Sequence, residues 1–212
     1  MFSALLLAAT VASAPAAGTY SYVSTMNGSE IGHTKITLAS SAQGLTLTES
    51  GAGNMNGQSG SVNDTLTLDA RLQPLTYTAD ASVADSRNMR STITFDGATA
   101  KQTGDVSQTY PLIGSAKHFV LLDVGPFSGF FMMPAQLHAW NDQPVTAIVP
   151  NFAHSMVLAP EKSRPERPSD VPAGDAVYAF NSMVAIAIWY NPHTLIVDQV
   201  DVPAQGLIVK RL

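Results

Sequence analysis

Short alternating runs separated by turn dipeptides fill most of this chain and constrain its fold more than any other feature. In the first run, Tyr20, Tyr22 and Met26 share one side of a two-residue period, and Asn27-Gly28 separates this run from a second one, 31–38. Asn-Gly tolerates the positive φ angles that both central positions of a type I′ turn require. The pattern therefore predicts a β-hairpin at the start of the domain.

Further runs of this kind predict an antiparallel meander, and Thr or Ser alternating with larger apolar residues predicts a sheet with one wet face. We expect a glycine-rich connection over Gly51 to Gly60, turns at Arg71 to Pro74 and Asp96-Gly97, and an exposed, charged, proline-rich loop over Glu161 to Pro172. The other predicted strands span 44–49, 62–68, 75–81, 89–95, 98–103, 145–149, 155–158, 176–180, 183–190, 194–202 and 205–210.

The alternation breaks in the segment from Ala116 to Trp140, which is dense in large apolar residues and is punctuated by Gly and Pro. We interpret it as two short helices, around Ala116 to Asp123 and Phe127 to Ala139. A segment this apolar has to be buried, and it is too interrupted to span a membrane. The predicted fold is mainly β: a curved antiparallel sheet or half-barrel of about ten strands, with the short helices packed on its concave face.

The first 17 residues have the pattern of a secretory signal peptide. An apolar run, Ala4 to Val11, precedes small residues in an A-x-A arrangement, although Met1 to Ser3 contain no Lys or Arg. The run is too short for a membrane span, and a buried N-terminal helix is the alternative. We predict a signal peptide over 1–17 and a single domain over 18–212, since nothing in the composition marks a second one.

Cysteine is absent from the chain, which excludes a disulfide framework, a thiolate metal site and a lipidated cysteine. An exported domain of this size without disulfides fits the periplasm or surface of a bacterium better than eukaryotic secretion. The net charge is −5 and the sequence has no basic patch. Nucleic acid and anionic membrane surfaces are therefore poor candidate partners.

Three parts of the chain resemble an uncharacterised family of exported bacterial proteins, a domain of unknown function with a β half-barrel. They are the opening hairpin with Ile31-Gly32 after its turn, the apolar insertion after Tyr110-Pro111-Leu112, and the ending with Trp189-Tyr190, Leu195 to Val197, Val202-Pro203 and Leu207 to Arg211. The resemblance implies a strongly curved sheet wrapped around helical segments, like periplasmic lipoprotein carriers. It implies no catalytic residue, because the family has no established activity.

Candidate catalytic and metal-binding residues do not form a recognisable motif. His33, His118, His138, His154 and His193 lack the i, i+2 or i, i+4 spacing of metal ligands, so we predict neither a metal nor a cofactor. Ser128 lies among glycines but outside a G-x-S-x-G elbow, and we interpret it as a helix-start residue. Asp64 reads as a turn former, while Asp123, within the apolar segment, reads as a desolvated acid or a turn cap. No catalytic residue is predicted.

The apolar segment is the best candidate for a function. Flexible Met and Phe side chains suit a pocket for apolar ligands, but they equally suit a plug that fills the half-barrel. The two interpretations differ in whether a cavity remains between this segment and the sheet. The residues that we predict to bind a ligand are Phe119, Phe127, Phe130, Phe131, Met132, Met133 and Trp140.

Three functions follow from these features. The first is a non-enzymatic periplasmic or secreted protein that binds or carries an apolar or amphipathic, lipid-like ligand. The second is a structural or interaction protein of the cell envelope, which would contact an envelope protein through exposed strand edges or the proline-rich loop. The third is a hydrolase of envelope polymers, which needs a cleft where a His and an acid meet within hydrogen-bond reach.

Overall fold

The structure is a computed structural model that describes residues 13–41, 44–55, 58–83, 89–122, 127–182 and 184–212. Most of the predicted signal peptide, residues 1–12, lies outside the described residues, as does Asp123. Eight strands form the first half of the fold: β1 (Gly18–Met26), β2 (Ser29–Ser41), β3 (Gly44–Met55), β4 (Gln58–Asp69), β5 (Pro74–Val83), β6 (Met89–Phe95), β7 (Thr99–Gly104) and β8 (Gln108–Pro111). The remaining elements are β9 (Phe119–Leu121), α1 (Ser128–Ala139), β10 (Val145–Val149), β11 (His154–Leu158), β12 (Ala176–Asn181), β13 (Ala185–Tyr190), β14 (Val197–Val202) and β15 (Leu207–Arg211).

Twelve of the strands form one long antiparallel sheet that is not closed. Its order is β12-β13-β14-β15-β1-β2-β3-β4-β5-β6-β7-β8, so two meanders from the two ends of the chain join where β15 pairs with β1. Asn27 and Gly28 have φ angles of 50° and 80° between β1 and β2, which confirms the predicted hairpin turn. The mainly β, antiparallel fold class is likewise confirmed.

The hairpin of β3 and β4 is much longer than the sequence predicts. We expected Gly51 to Gly60 to be a connection, but β3 continues to Met55 and β4 begins at Gln58. The pairing remains in register from Gly44 opposite Asp69 to Met55 opposite Gln58. Glycine in a strand usually weakens it, but here the neighbouring strands on both sides hold these residues in the sheet.

Three short strands form a second sheet in the order β11-β10-β9. The predicted helix over Ala116 to Asp123 is wrong, because Phe119–Leu121 pairs in parallel with β10 instead. A short run of consecutive apolar residues fits a strand that is buried on both faces, and the three residues of β9 are all buried. The second predicted helix is confirmed as α1, which begins at Ser128, and it is the one α-helix among the described residues.

A single large core joins both sheets and α1. In β2, β3 and β4 the buried side chains occupy every second position, so that Leu47 and Leu66 face the core while Thr48 is exposed; β13 and β14 are buried at almost every position. A smaller cluster on another part of the sheet joins Val171 to Trp189 and Ala187. The predicted proline-rich loop, Glu161 to Pro172, is exposed over most of its length, as predicted, but the buried side chain of Val171 holds it against the sheet.

No helix in the described part of the chain is both long enough and apolar enough to cross a membrane.

Candidate functional site

The residues predicted to bind a ligand lie together in the large core. Six of the seven are at most 6% exposed, and Phe130 is half-buried against the same cluster. Phe127, Phe130, Phe131, Met132 and Met133 lie at the start of α1, Trp140 follows its end, and Phe119 begins β9. Ligand binding by these residues stays a prediction.

Aromatic contacts hold the first half of α1 against β1. The ring of Phe127 lies 4.6 Å from that of Tyr22, and the ring of Phe131 lies 5.1 Å from that of Tyr20. Phe127 also stacks on Phe130, with 6.1 Å between the ring centres. Such aromatic pairs each add about 0.5–1.5 kcal/mol beyond the area that they bury.

The end of α1 is fixed by hydrogen bonds to the turn between β4 and β5. The Gln136 side-chain amide donates to the carbonyl of Leu72 (3.1 Å), and the indole N–H of Trp140 donates to the carbonyl of Arg71 (3.0 Å). The ring of His118 stacks on Trp140 at 4.3 Å. Burial, and then the nearby Lys117 charge, lowers the pKa of His118, which favours the neutral form of its ring.

The start of α1 is fixed by two buried acids. One carboxylate oxygen of Glu49, on β3, accepts hydrogen bonds from the backbone N–H groups of Phe127 and Ser128, both at 2.6 Å. The hydroxyl of Ser128 donates to Asp64, on β4, at 2.9 Å. Because the first N–H groups of a helix have no partner within it, these contacts supply partners for two N–H groups at the N-terminus of α1.

Glu49 and Asp64 stand directly opposite each other on neighbouring strands. They are only 3% and 4% exposed, respectively. Burial, and then the charge of Asp64, raises the pKa of Glu49 well above its usual range, although the two N–H groups act in the opposite direction. Two buried carboxyl groups so close together do not both ionise readily, so the pair retains a proton at a pH where an exposed acid has lost its own.

This pair was not predicted from the sequence. The prediction of Asp64 as a turn former is wrong, because Asp64 lies within β4 and faces the core. The alternation of side chains along a strand could have shown that both acids are buried. Glu49 lies on the same side of β3 as Leu47, and Asp64 lies on the same side of β4 as Leu66. Ser128, by contrast, starts α1 as predicted.

In the part of the chain that the structure describes, the histidines do not meet an acid inside the core. His33 donates to Glu30 at 2.9 Å, but both side chains are about 60% exposed (59% and 61%). His138, His154 and His193 are exposed. No group of three His, Asp or Glu side chains close enough to hold a metal ion occurs within the described ranges.

A second acid pair lies near the end of the chain. Asp198, on β14, forms a 2.7 Å ion pair with Arg211, on β15. Asp175 adjoins it just after the proline-rich loop, where burial, followed by the charge of Asp198, raises the pKa of Asp175 to about 6. Unlike Glu49 and Asp64, these two acids have a basic residue, Arg211, beside them.

Asp175→Asn should reduce the pH dependence of stability between about pH 4, near the usual pKa of an aspartate, and pH 6. A raised pKa in the folded state means that stability is present at low pH and is lost as the pH rises through about 6. Urea midpoints at pH 5 and pH 7.5 would measure this. The exposed Glu166→Gln serves as the control, and an equal pH dependence in Asp175→Asn and the parent protein would contradict the expectation.

An open depression of about 350 Å³ lies along the first three strands. The lining residues are Ser21, Tyr22, His33, Thr34, Lys35, Ser50, Gly51, Ala52 and Leu212.

Neither a protein-family model nor a curated protein matches this chain. Two solved structures share its fold. A β-barrel-like protein of the domain of unknown function DUF1849 from Brucella abortus has a TM-score of 0.55 and 13% identity, covering 95% of this chain and 97% of its own. A DUF1089 family protein from Pseudomonas aeruginosa has a TM-score of 0.52 and 11% identity, covering 81% and 90%, respectively. At these identities the likeness concerns the fold alone, and it confirms the predicted resemblance to β half-barrel proteins of unknown function.

Proposed function

We propose that this protein is exported from a bacterial cell and binds an apolar or amphipathic, lipid-like ligand between α1 and the long sheet, without catalysing a reaction. The observation that carries the proposal is a Phe- and Met-rich helix that packs in one core with a sheet that is not closed. Adaptable side chains next to an opening are what a site for apolar ligands requires.

The contacts of α1 favour a sheet that curves around it. The helix approaches both β4 and β13, which stand six strands apart in the sheet order. In a flat sheet these strands would be about 29 Å apart, at about 4.8 Å per step. A helix of 12 residues is only about 18 Å long. We therefore place α1 on the concave side of a half-barrel, where a ligand would be enclosed by sheet and helix.

The ligand would bind by taking the place of side chains that now pack together. Met132 and Met133 are fully buried and unbranched, so they can change rotamer without a large loss of contact. Phe130 is the one predicted ligand residue that is half-buried rather than buried, which places it at the border of the site. The polar contacts at both ends of α1 set how far the helix can move.

Export is supported by the sequence pattern of the first 17 residues and by the absence of cysteine. Expression of the full chain in a bacterial host, followed by fractionation and N-terminal sequencing, tests it. A periplasmic protein that begins between Ala14 and Gly18 is expected. An uncleaved chain in the cytoplasm would contradict this part of the proposal.

Native mass spectrometry of the exported protein tests ligand binding. We expect a population with additional mass that disappears after extraction with organic solvent, and binding of a fluorescent fatty-acid probe by the extracted protein. Phe130→Ser should weaken probe binding. Phe152→Ser should leave it unchanged, because Phe152 is 68% exposed on the turn after β10. A folded protein that carries no ligand and binds no probe would overturn the proposal.

A further inference from the structure

The acid pair at the start of α1 has an arrangement that a purely structural contact does not need. Along one row of the sheet, Ile36, Glu49, Asp64 and Ala79 are successive cross-strand neighbours. The two acids therefore face each other directly, with an apolar residue on either side. Like charges in this position destabilise a sheet.

Among the described residues, the groups that face Glu49 supply no positive side chain. From β4 it meets the carboxyl group of Asp64, and from α1 two backbone N–H groups; the hydroxyl of Ser128 goes to Asp64. From β2 its neighbour is Ile36. The other titratable side chains on the same side of the sheet nearby are the phenols of Tyr22, on β1, and Tyr77, on β5.

Only one of the two carboxylate oxygens of Glu49 accepts hydrogen bonds from the start of α1. Oε2 accepts both N–H groups, whereas Oε1 is buried and receives no N–H or O–H donor from the described residues, so the nearest carboxyl group, that of Asp64, can share only a proton with Glu49. A buried oxygen without a partner costs about 1–3 kcal/mol, and more when it is charged. A proton on the pair removes that cost, because a protonated carboxyl group gains a donor and loses its charge.

We propose that Glu49 and Asp64 form a proton-binding site that latches the first turn of α1 onto the sheet. With one proton bound, the pair carries a single negative charge, which suits the positive end of a helix dipole. When that proton is lost, two carboxylates repel each other across the strand pair, and the contacts to Phe127 and Ser128 weaken. The first turn of α1 then opens.

The direction of the pH dependence follows from this arrangement. A carboxyl group whose pKa is raised in the folded state stabilises that state at low pH and loses this contribution as the pH rises through the raised pKa. The latch is therefore closed in acid and opens towards alkaline pH. If the proposed function holds, ligand entry beside α1 increases in the same direction, but the latch itself does not require a ligand.

Amide hydrogen exchange of the ligand-free protein tests the latch. After correction for intrinsic rates, the protection of the amides of Phe127, Ser128 and the rest of the first turn should fall by up to about tenfold per pH unit between the usual pKa of a carboxyl group and the raised pKa, and should level off above it. Glu49→Gln still accepts the N–H groups but cannot ionise, so its protection should stay constant with pH. Glu30→Gln, an exposed acid on β2, should behave as the parent protein.

A second measurement keeps the proposal testable if Glu49→Gln does not fold. In the parent protein, carbon-13 NMR of the side-chain carboxyl groups should show that Glu49 loses its proton at a higher pH than Glu30. Equal midpoints for the two groups, or the same fall in protection in Glu49→Gln and the parent, would overturn the latch. Because no ligand is present, these results are independent of whether the protein binds one.

Discussion

Replacement of Phe131 by alanine is expected to lower the free energy of unfolding by about 3–5 kcal/mol. Phe131 is fully buried on α1, and its ring packs at 5.1 Å from Tyr20 and at 6.3 Å from Tyr22. Alanine removes these contacts and leaves a cavity between the helix and β1. Because both ends of α1 are tied by hydrogen bonds, the helix cannot easily move inward to fill it.

Urea unfolding of the two proteins at one pH measures the effect. Phe152→Ala provides the matched control, since the same side chain there is 68% exposed and its loss should change stability by less than about 0.5 kcal/mol. Equal effects of the two substitutions would mean that α1 is not packed in the core as described. A loss near 1 kcal/mol for Phe131→Ala would indicate that the helix relaxes into the space.

This experiment also bears on the proposed function. An apolar ligand that occupies the space next to α1 should find more room in Phe131→Ala. We therefore expect an added fatty-acid probe to restore part of the lost stability, since a ligand that binds only the folded state stabilises it. The Phe152→Ala protein should show the same response to the probe as the parent.

Local patterns predicted the hairpins well, because turn chemistry acts over a few residues. Asn27-Gly28 specifies its turn almost independently of the rest of the chain. The run of Phe119 to Leu121 was misassigned because a short apolar segment has no period to distinguish a strand from a helix. Its conformation is decided by β10, which lies more than 20 residues later in the chain and supplies the pairing.

The pairing of Glu49 with Asp64 could not be predicted, for a related reason. Glu49 and Asp64 become neighbours only through the register of β3 and β4, and that register runs through a glycine-rich stretch that reads as a loop. The hydrogen bond between Ser128, in α1, and Asp64 joins residues that are 64 positions apart in the chain. Contacts of this kind depend on the whole fold, so no local motif predicts them. The shared fold of the two solved structures carries no information about these side chains.

Because α1 lies close to β9, we expect Gly129→Ala to change the stability in the opposite direction from the one that helix propensity predicts. Gly129 lies in the first turn of α1, and a Cβ atom there would stand 2.1 Å from the carbonyl oxygen of Leu121 and 2.8 Å from its carbonyl carbon. In an exposed helix, Gly→Ala stabilises by about 1 kcal/mol. Here the added methyl group meets backbone, which cannot rotate away, so helix and strand have to separate.

We expect Gly129→Ala to destabilise the protein by about 1–3 kcal/mol, the usual cost of overpacking a core. Gly174→Ala is the control, because a Cβ atom at that position meets nothing within 4 Å. Its effect should stay within about 0.5 kcal/mol. Since Gly129 follows directly on Ser128, the displacement should also weaken the contacts to Glu49 and Asp64, and exchange of the first-turn amides should rise even in acid. A gain of stability in Gly129→Ala would show that α1 does not pack against β9. It would also remove this support for the proposed ligand site between the helix and the long sheet.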